Sequence, residues 1–256
     1  SFVVIALLVG VIIGARNSNP PAIAAGGNIV QNGSIVPFIV PELSIEDAQA
    51  NVDAHPNDPA AYLALARALS VADRFQDAEV VLREGSNHTA DDISYFAQAA
   101  AFSADAHNAT AALFTYGAAL RLAMGSPTIY DPLRGQAGER LYPLMGEQSA
   151  FTPLQIRALS GIRERQSEYQ EITITSMIAR ALVTEGMYAQ AAELLNIVFA
   201  QDSINPEGML VRAELEIAQG DTEAARSDLS NLTSGRRAPP WVVQKAAEML
   251  NSLNGG

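Results

Sequence analysis

The chain has 256 residues, 48% of them hydrophobic, enough to bury a substantial core in one large domain or two small ones. Sixteen Lys and Arg stand against 28 Asp and Glu, a formal charge of -12, and such a surface repels phosphate backbones and anionic headgroups, so nucleic acid is not expected as a partner. The absence of cysteine excludes disulfides, thiolate metal sites, a lipoprotein anchor and the cysteine attachment of c-type haem.

Residues Phe2 to Ala15 carry no charge and no proline, the composition of a membrane helix. Fourteen residues at about 1.5 Å each reach only about 21 Å of the roughly 30 Å of hydrocarbon. Residues upstream of Ser1 are expected to complete the span, so residues 1–16 are assigned as a single transmembrane anchor. The competing reading is the apolar part of a secretory signal, with Ala22-Ile23-Ala24 as the cleavage site. Gly10 and Gly14 form a Gly-x-x-x-Gly pair that would let a second membrane helix approach. Arg16 follows the span, but the acidic domain beyond it favours a periplasmic or extracellular location.

Residues 17–43 read as an extended linker, restricted by Pro20, Pro21, Pro37 and Pro41 and loosened by Gly26, Gly27 and Gly33. Ile35, Val36, Phe38, Ile39 and Val40 are too apolar for a free tether. They are expected to dock, either on the chain's own helices or on a neighbouring subunit.

From residue 44 the pattern is helical. Ser44 followed by Asp47 caps a short amphipathic helix, and Asp58-Pro59 opens a longer one with Tyr62, Leu65, Ala66 and Leu69 on one face. Beyond a turn at Asp73-Arg74-Phe75, Ala78, Val81 and Leu82 face back onto it. Ala78 and Leu82 then find counterparts 34 residues on in Ala112 and Tyr116. The same offset relates Gly186, Ala191 and Leu195 to Gly220, Ala225 and Leu229. A period of this length belongs to a helical hairpin that cannot bury its apolar face alone and stacks on its neighbours.

Between about 125 and 169 the repeat lapses. Prolines at 127, 132 and 143 punctuate this insert, Arg140 to Met145 reads as one short helix, and Thr152-Pro153 opens another that runs to about Gln170. The insert is either an extra hairpin continuing the stack or a projecting contact. Pro239-Pro240 introduces a closing amphipathic helix from Trp241 to Leu253.

Tyr62, Leu65, Ala66, Leu69, Ala78 and Leu82 occupy the places that define the tetratricopeptide repeat family, and this segment resembles it. The wording from His55 to Arg67 is also similar to the repeat domains of bacterial c-type cytochrome maturation factors. The resemblance implies an all-α solenoid over residues 44–256, with an amino-terminal transmembrane helix and a carboxy-terminal capping helix. It also implies a protein-binding groove on the first helix of each hairpin, at Leu63, Arg67, Phe96, Ala100, Ser176, Arg180, Leu210 and Glu214. Apolar Leu63 and Phe96 beside Arg67 and Arg180 suit a peptide with an aliphatic anchor and a carboxylate. The Lys and Asn set of carboxylate-clamp co-chaperones is missing at the matching places.

No reactive constellation accompanies this pattern. His55, His88 and His107 fall in predicted turns without metal spacing, and Asp91-Asp92 reads as a helix cap. Neither a catalytic site, a cofactor nor a metal is expected. The expectation is a membrane-anchored scaffold, an accessory subunit of a multi-protein membrane complex, with an electron-transfer complex as one setting. The alternative is an assembly factor for c-type cytochromes or another membrane complex. Its partners would be protein subunits and, through the anchor, membrane lipid.

Overall fold

The computed structural model describes residues 30–31, 34–35, 40–88, 92–147, 151, 155, 171–235 and 237–254. The membrane anchor, Gly10 and Gly14, linker residues Val36, Phe38 and Ile39, and most of the helix expected to end at Gln170 lie outside them. No described helix is long and apolar enough to cross a membrane.

Before the helices stands one antiparallel pair, β1 (Val30–Gln31) and β2 (Ser34–Ile35), with Val30 opposite Ile35 and Gln31 opposite Ser34. The linker, expected to run extended, therefore doubles back here; the intervening sequence is Asn-Gly, which two-residue hairpins favour. Strand β2 runs beside the sixth helix.

The first three helices are α1 (Ile45–Ala54), α2 (Pro59–Val71) and α3 (Phe75–Ser86). Ser44 Oγ accepts from the Asp47 amide, and Asp58 accepts from the Ala60 amide with Pro59 in the first turn, as their spacing predicts. Asp73, at φ 57°, sits in the turn that reverses the chain into α3. A second hairpin follows, α4 (Ile93–Asp105) and α5 (Ala109–Ala123), with Asp92 capping α4 through the Tyr95 amide. Tyr95 ties the two hairpins together, since its hydroxyl donates to the Leu82 carbonyl at 2.9 Å. A Cβ at Gly85 would fall 2.2 Å from that hydroxyl, so this close approach needs glycine.

The insert begins with α6 (Pro127–Met145), far longer than the short helix expected at Arg140 to Met145. Pro127 lies in its first turn, and Pro132 and Pro143 lie inside it on the exposed side, where the lost amide bonds face water. Helix α6 packs on α4 and α5 at one side and on the next hairpin at the other, so it continues the stack rather than projecting from it. That next hairpin is α7 (Ile172–Thr184) and α8 (Tyr188–Gln201), followed by α9 (Pro206–Gln219) with α10 (Thr222–Ser234) and the closing helix α11 (Pro240–Asn254).

Gly186 and Gly220, the two glycines of the 34-residue repeat, have φ of 74° and 86° and turn the chain out of α7 and α9. Ala179, Ala191, Ala213 and Ala225 are fully buried at the repeat-equivalent places, where a small side chain lets neighbouring helices close up. The described part beyond residue 40 is thus an all-helical, tetratricopeptide-repeat-like α-solenoid.

Candidate protein-interaction groove

The first helices of the described hairpins, α2, α4, α7 and α9, with α6 between α4 and α7, pack each on the next and form one continuous layer. Several contacts skip a hairpin. From α6 to α9, the Arg134 guanidinium meets Glu207 at 2.5 Å and the Tyr142 hydroxyl donates to Glu214 at 2.7 Å. Trp241 at the start of α11 reaches the Tyr142 ring, with centroids 5.3 Å apart. These contacts run within the layer of first helices, the layer that the resemblance makes the concave side.

Within it, the expected groove residues fall into two groups. Leu63, Ala100, Ser176 and Leu210 are fully buried and Phe96 is 6% exposed, so these five are enclosed between helices and present no open surface. They lie on the sides of the first helices, where the neighbouring helices pack directly over them. The charged three, Arg67, Arg180 and Glu214, do line the concave side, but each already has partners in the chain.

Arg180 is held from three directions. Its Nε donates to Glu214 Oε2 at 2.8 Å and its Nη2 to Glu214 Oε1 at 3.0 Å, a two-pronged pair between successive repeats. Its guanidinium carbon lies 3.5 Å from the centre of the Tyr142 ring. On a further side is Gly146, where a Cβ would fall 2.6 Å from Nη1. The side chains of Arg180 and Glu214 are 13% and 19% exposed. Burial, with the negative charge of Glu214 added to it, pushes the Tyr142 phenol far up, so it stays a neutral donor. An arginine expected to capture a partner's carboxylate is therefore neutralised by the neighbouring repeat. Trp241 seals the same place, packing where a Cβ on Gly138 would come within 2.5 Å of its ring.

Arg67 has looser company. Its Nη1 donates to the Val40 carbonyl at 3.1 Å and its Nη2 to Glu42 Oε1 at 2.5 Å, while Phe102 lies with its ring centre 6.0 Å from the guanidinium. The side chains of Arg67 and Glu42 are 35% and 84% exposed, so this pair is open to exchange. Val40, one of the expected docking residues, packs against the helical core, and Ile35 takes part in the β1–β2 pair. A cavity of about 400 Å³ opens between Pro41–Ile45 and the α2 residues Ala64, Arg67, Ala68 and Val71. Val71 at its rim is 81% exposed.

A second buried polar group lies deeper, where α6, α7 and α9 meet. Glu171 caps α7, accepting from the Thr173 and Ile174 amides at 2.9 and 3.0 Å and from the Tyr130 hydroxyl at 2.5 Å. Burial pushes the Glu171 carboxyl above its usual range, against the pull of those donors and of nearby Arg134. No periodicity or motif in the sequence marks this cluster. The histidines sit at turns, with His88 stacked on Tyr62 and His107 Nδ1 3.0 Å from Glu147. Among the described residues no group of side chains could hold a metal ion.

Residues 48–102 and residues 206–227 match tetratricopeptide repeat family models. The first covers α2, α3 and most of α1 and α4, and the second covers α9 and the start of α10. No curated protein and no solved structure matches the chain. The two matched segments lie on either side of the Arg180–Tyr142 junction, and the described helices between them pack each on its neighbours.

Proposed function

We propose that the chain is a non-enzymatic protein-binding scaffold, an accessory subunit of a multi-protein membrane complex. Repeats of this kind work by offering an extended surface to other proteins. The observation that carries the reading is the state of the inner layer. Its carboxy-terminal half is locked by Arg180, Glu214, Tyr142 and Trp241, which suits a rigid support, and its amino-terminal end at Arg67 and Val71 is open. The uncharged run Phe2 to Ala15 is the reason to place the scaffold at a membrane, with its helical domain on the periplasmic or extracellular side.

Affinity purification from detergent-solubilised membranes tests this. A subunit emerges with its partners at a fixed ratio, and that ratio survives changes in expression level. A second reading, an assembly factor that presents client segments, draws on the extended stretch seated at Arg67. It predicts substoichiometric recovery and release on completion of the client, and a chain recovered alone contradicts both readings.

A further inference from the structure

We propose that Val40, Pro41 and Glu42 are an intramolecular pseudo-ligand of α2. The partner segment that the open end of the groove takes then carries the same pair of groups, a main-chain carbonyl followed two residues on by a carboxylate. The inference rests on the reading of the inner layer as a protein-binding surface and names the chemistry of its occupant.

The contact is not local, since Val40 and Glu42 precede Arg67 by 27 and 25 residues. One guanidinium reads both groups at once, its Nη1 on the carbonyl and its Nη2 on the carboxylate, a geometry that a lysine ammonium could not reproduce. Pro41 between them has a fixed φ and no amide proton, so the stretch is extended before it binds and loses little freedom in doing so. Phe102 backs the guanidinium, and the cavity against Ala64, Ala68 and Val71 has room for an apolar side chain beside the pair.

Arg67 and Arg180 differ in how firmly they are committed. Arg180 is enclosed with its carboxylate, whereas Glu42 is 84% exposed and leaves at little cost. Charge also permits the exchange. In a chain of net charge -12 an added carboxylate is repelled, but one that takes the place of Glu42 meets the unpaired cation of Arg67.

The test uses the full chain and a fluorescein-labelled peptide of its own residues 36–45. Fluorescence anisotropy should give an affinity for Glu42→Ala about threefold tighter than for the parent, because a weak internal competitor has been removed. Adding Arg67→Glu to that variant should abolish binding. A peptide with Gln in place of its Glu should bind the Glu42→Ala chain more weakly, a comparison that alters no residue of the folded protein. Equal affinities of parent and Glu42→Ala overturn the pseudo-ligand, as does binding indifferent to Arg67→Glu, or no binding to Glu42→Ala. A chain that fails here yet co-purifies with its partners at a fixed ratio loses the pseudo-ligand and keeps the scaffold.

Discussion

Arg180 and Glu214 stand at the same place in successive repeats, 34 residues apart, and their side chains meet in a two-pronged ion pair at 2.8 and 3.0 Å. The pair is mostly buried and shares the Tyr142 hydroxyl, so removing one member strands the other. Arg180→Ala is expected to destabilise the chain by about 3 kcal/mol in urea unfolding. Glu214→Ala should cost less than Arg180→Ala, because the freed guanidinium keeps its place over Tyr142. In a double-mutant cycle the two changes should be non-additive by about 1 kcal/mol or more, and additivity would show that the pair is not coupled.

Helix α6 supplies an internal contrast. Gly135 and Gly138 are three residues apart, yet a Cβ at Gly135 meets nothing within 4 Å and one at Gly138 falls 2.5 Å from the Trp241 ring. Gly135→Ala should therefore stabilise the protein by about 0.5 to 1 kcal/mol through helix propensity. Gly138→Ala should destabilise it by about 1 to 3 kcal/mol through overpacking. Trp241 is the sole tryptophan, so its emission reports the displacement directly. A red shift is expected for Gly138→Ala and no shift for Gly135→Ala.

Much of the stack was legible because its signals are local or periodic. Ser44, Asp58 and Asp92 cap the helices that their spacing announces, and Gly186 and Gly220 mark helix ends at the repeat interval. Helix α6 reads as short in the sequence because Pro132 and Pro143 are breakers, although on an exposed face the lost bonds are replaced by water. Groove positions transferred by register also misjudged burial. Leu63, Ala100, Ser176 and Leu210 are enclosed because neighbouring first helices pack directly on one another, a property of how hairpins stack and not of any one of them. One signal was available for the Arg180–Glu214 pair: opposite charges at equivalent positions of adjacent repeats. Nothing local announces Tyr142 or Trp241 as their companions.

Glu171 gives a pH dependence with a defined sign. Burial holds its carboxyl above the usual range, so the folded chain binds this proton more tightly than the unfolded chain does. Its contribution is full below the ordinary carboxyl pKa and is lost as pH rises through the raised one. Glu171→Gln removes that titration. Thermal unfolding of the two proteins should then show the parent losing ground to Glu171→Gln as pH rises above the ordinary carboxyl range. Parallel profiles, or the opposite trend, would mean that the carboxyl is not held in this way.

The central claim is that the concave layer is shut by its own side chains around Arg180 and meets partners from the end that carries Arg67. Hydrogen exchange, compared between the isolated chain and the complex it co-purifies with, tests this most directly. New protection is expected across α2 and α4, with Val40–Glu42 released from α2 and α7 and α9 equally protected in both states. New protection centred on the turns of α7 and α9 that carry Arg180 and Glu214, with none at α2, would contradict it.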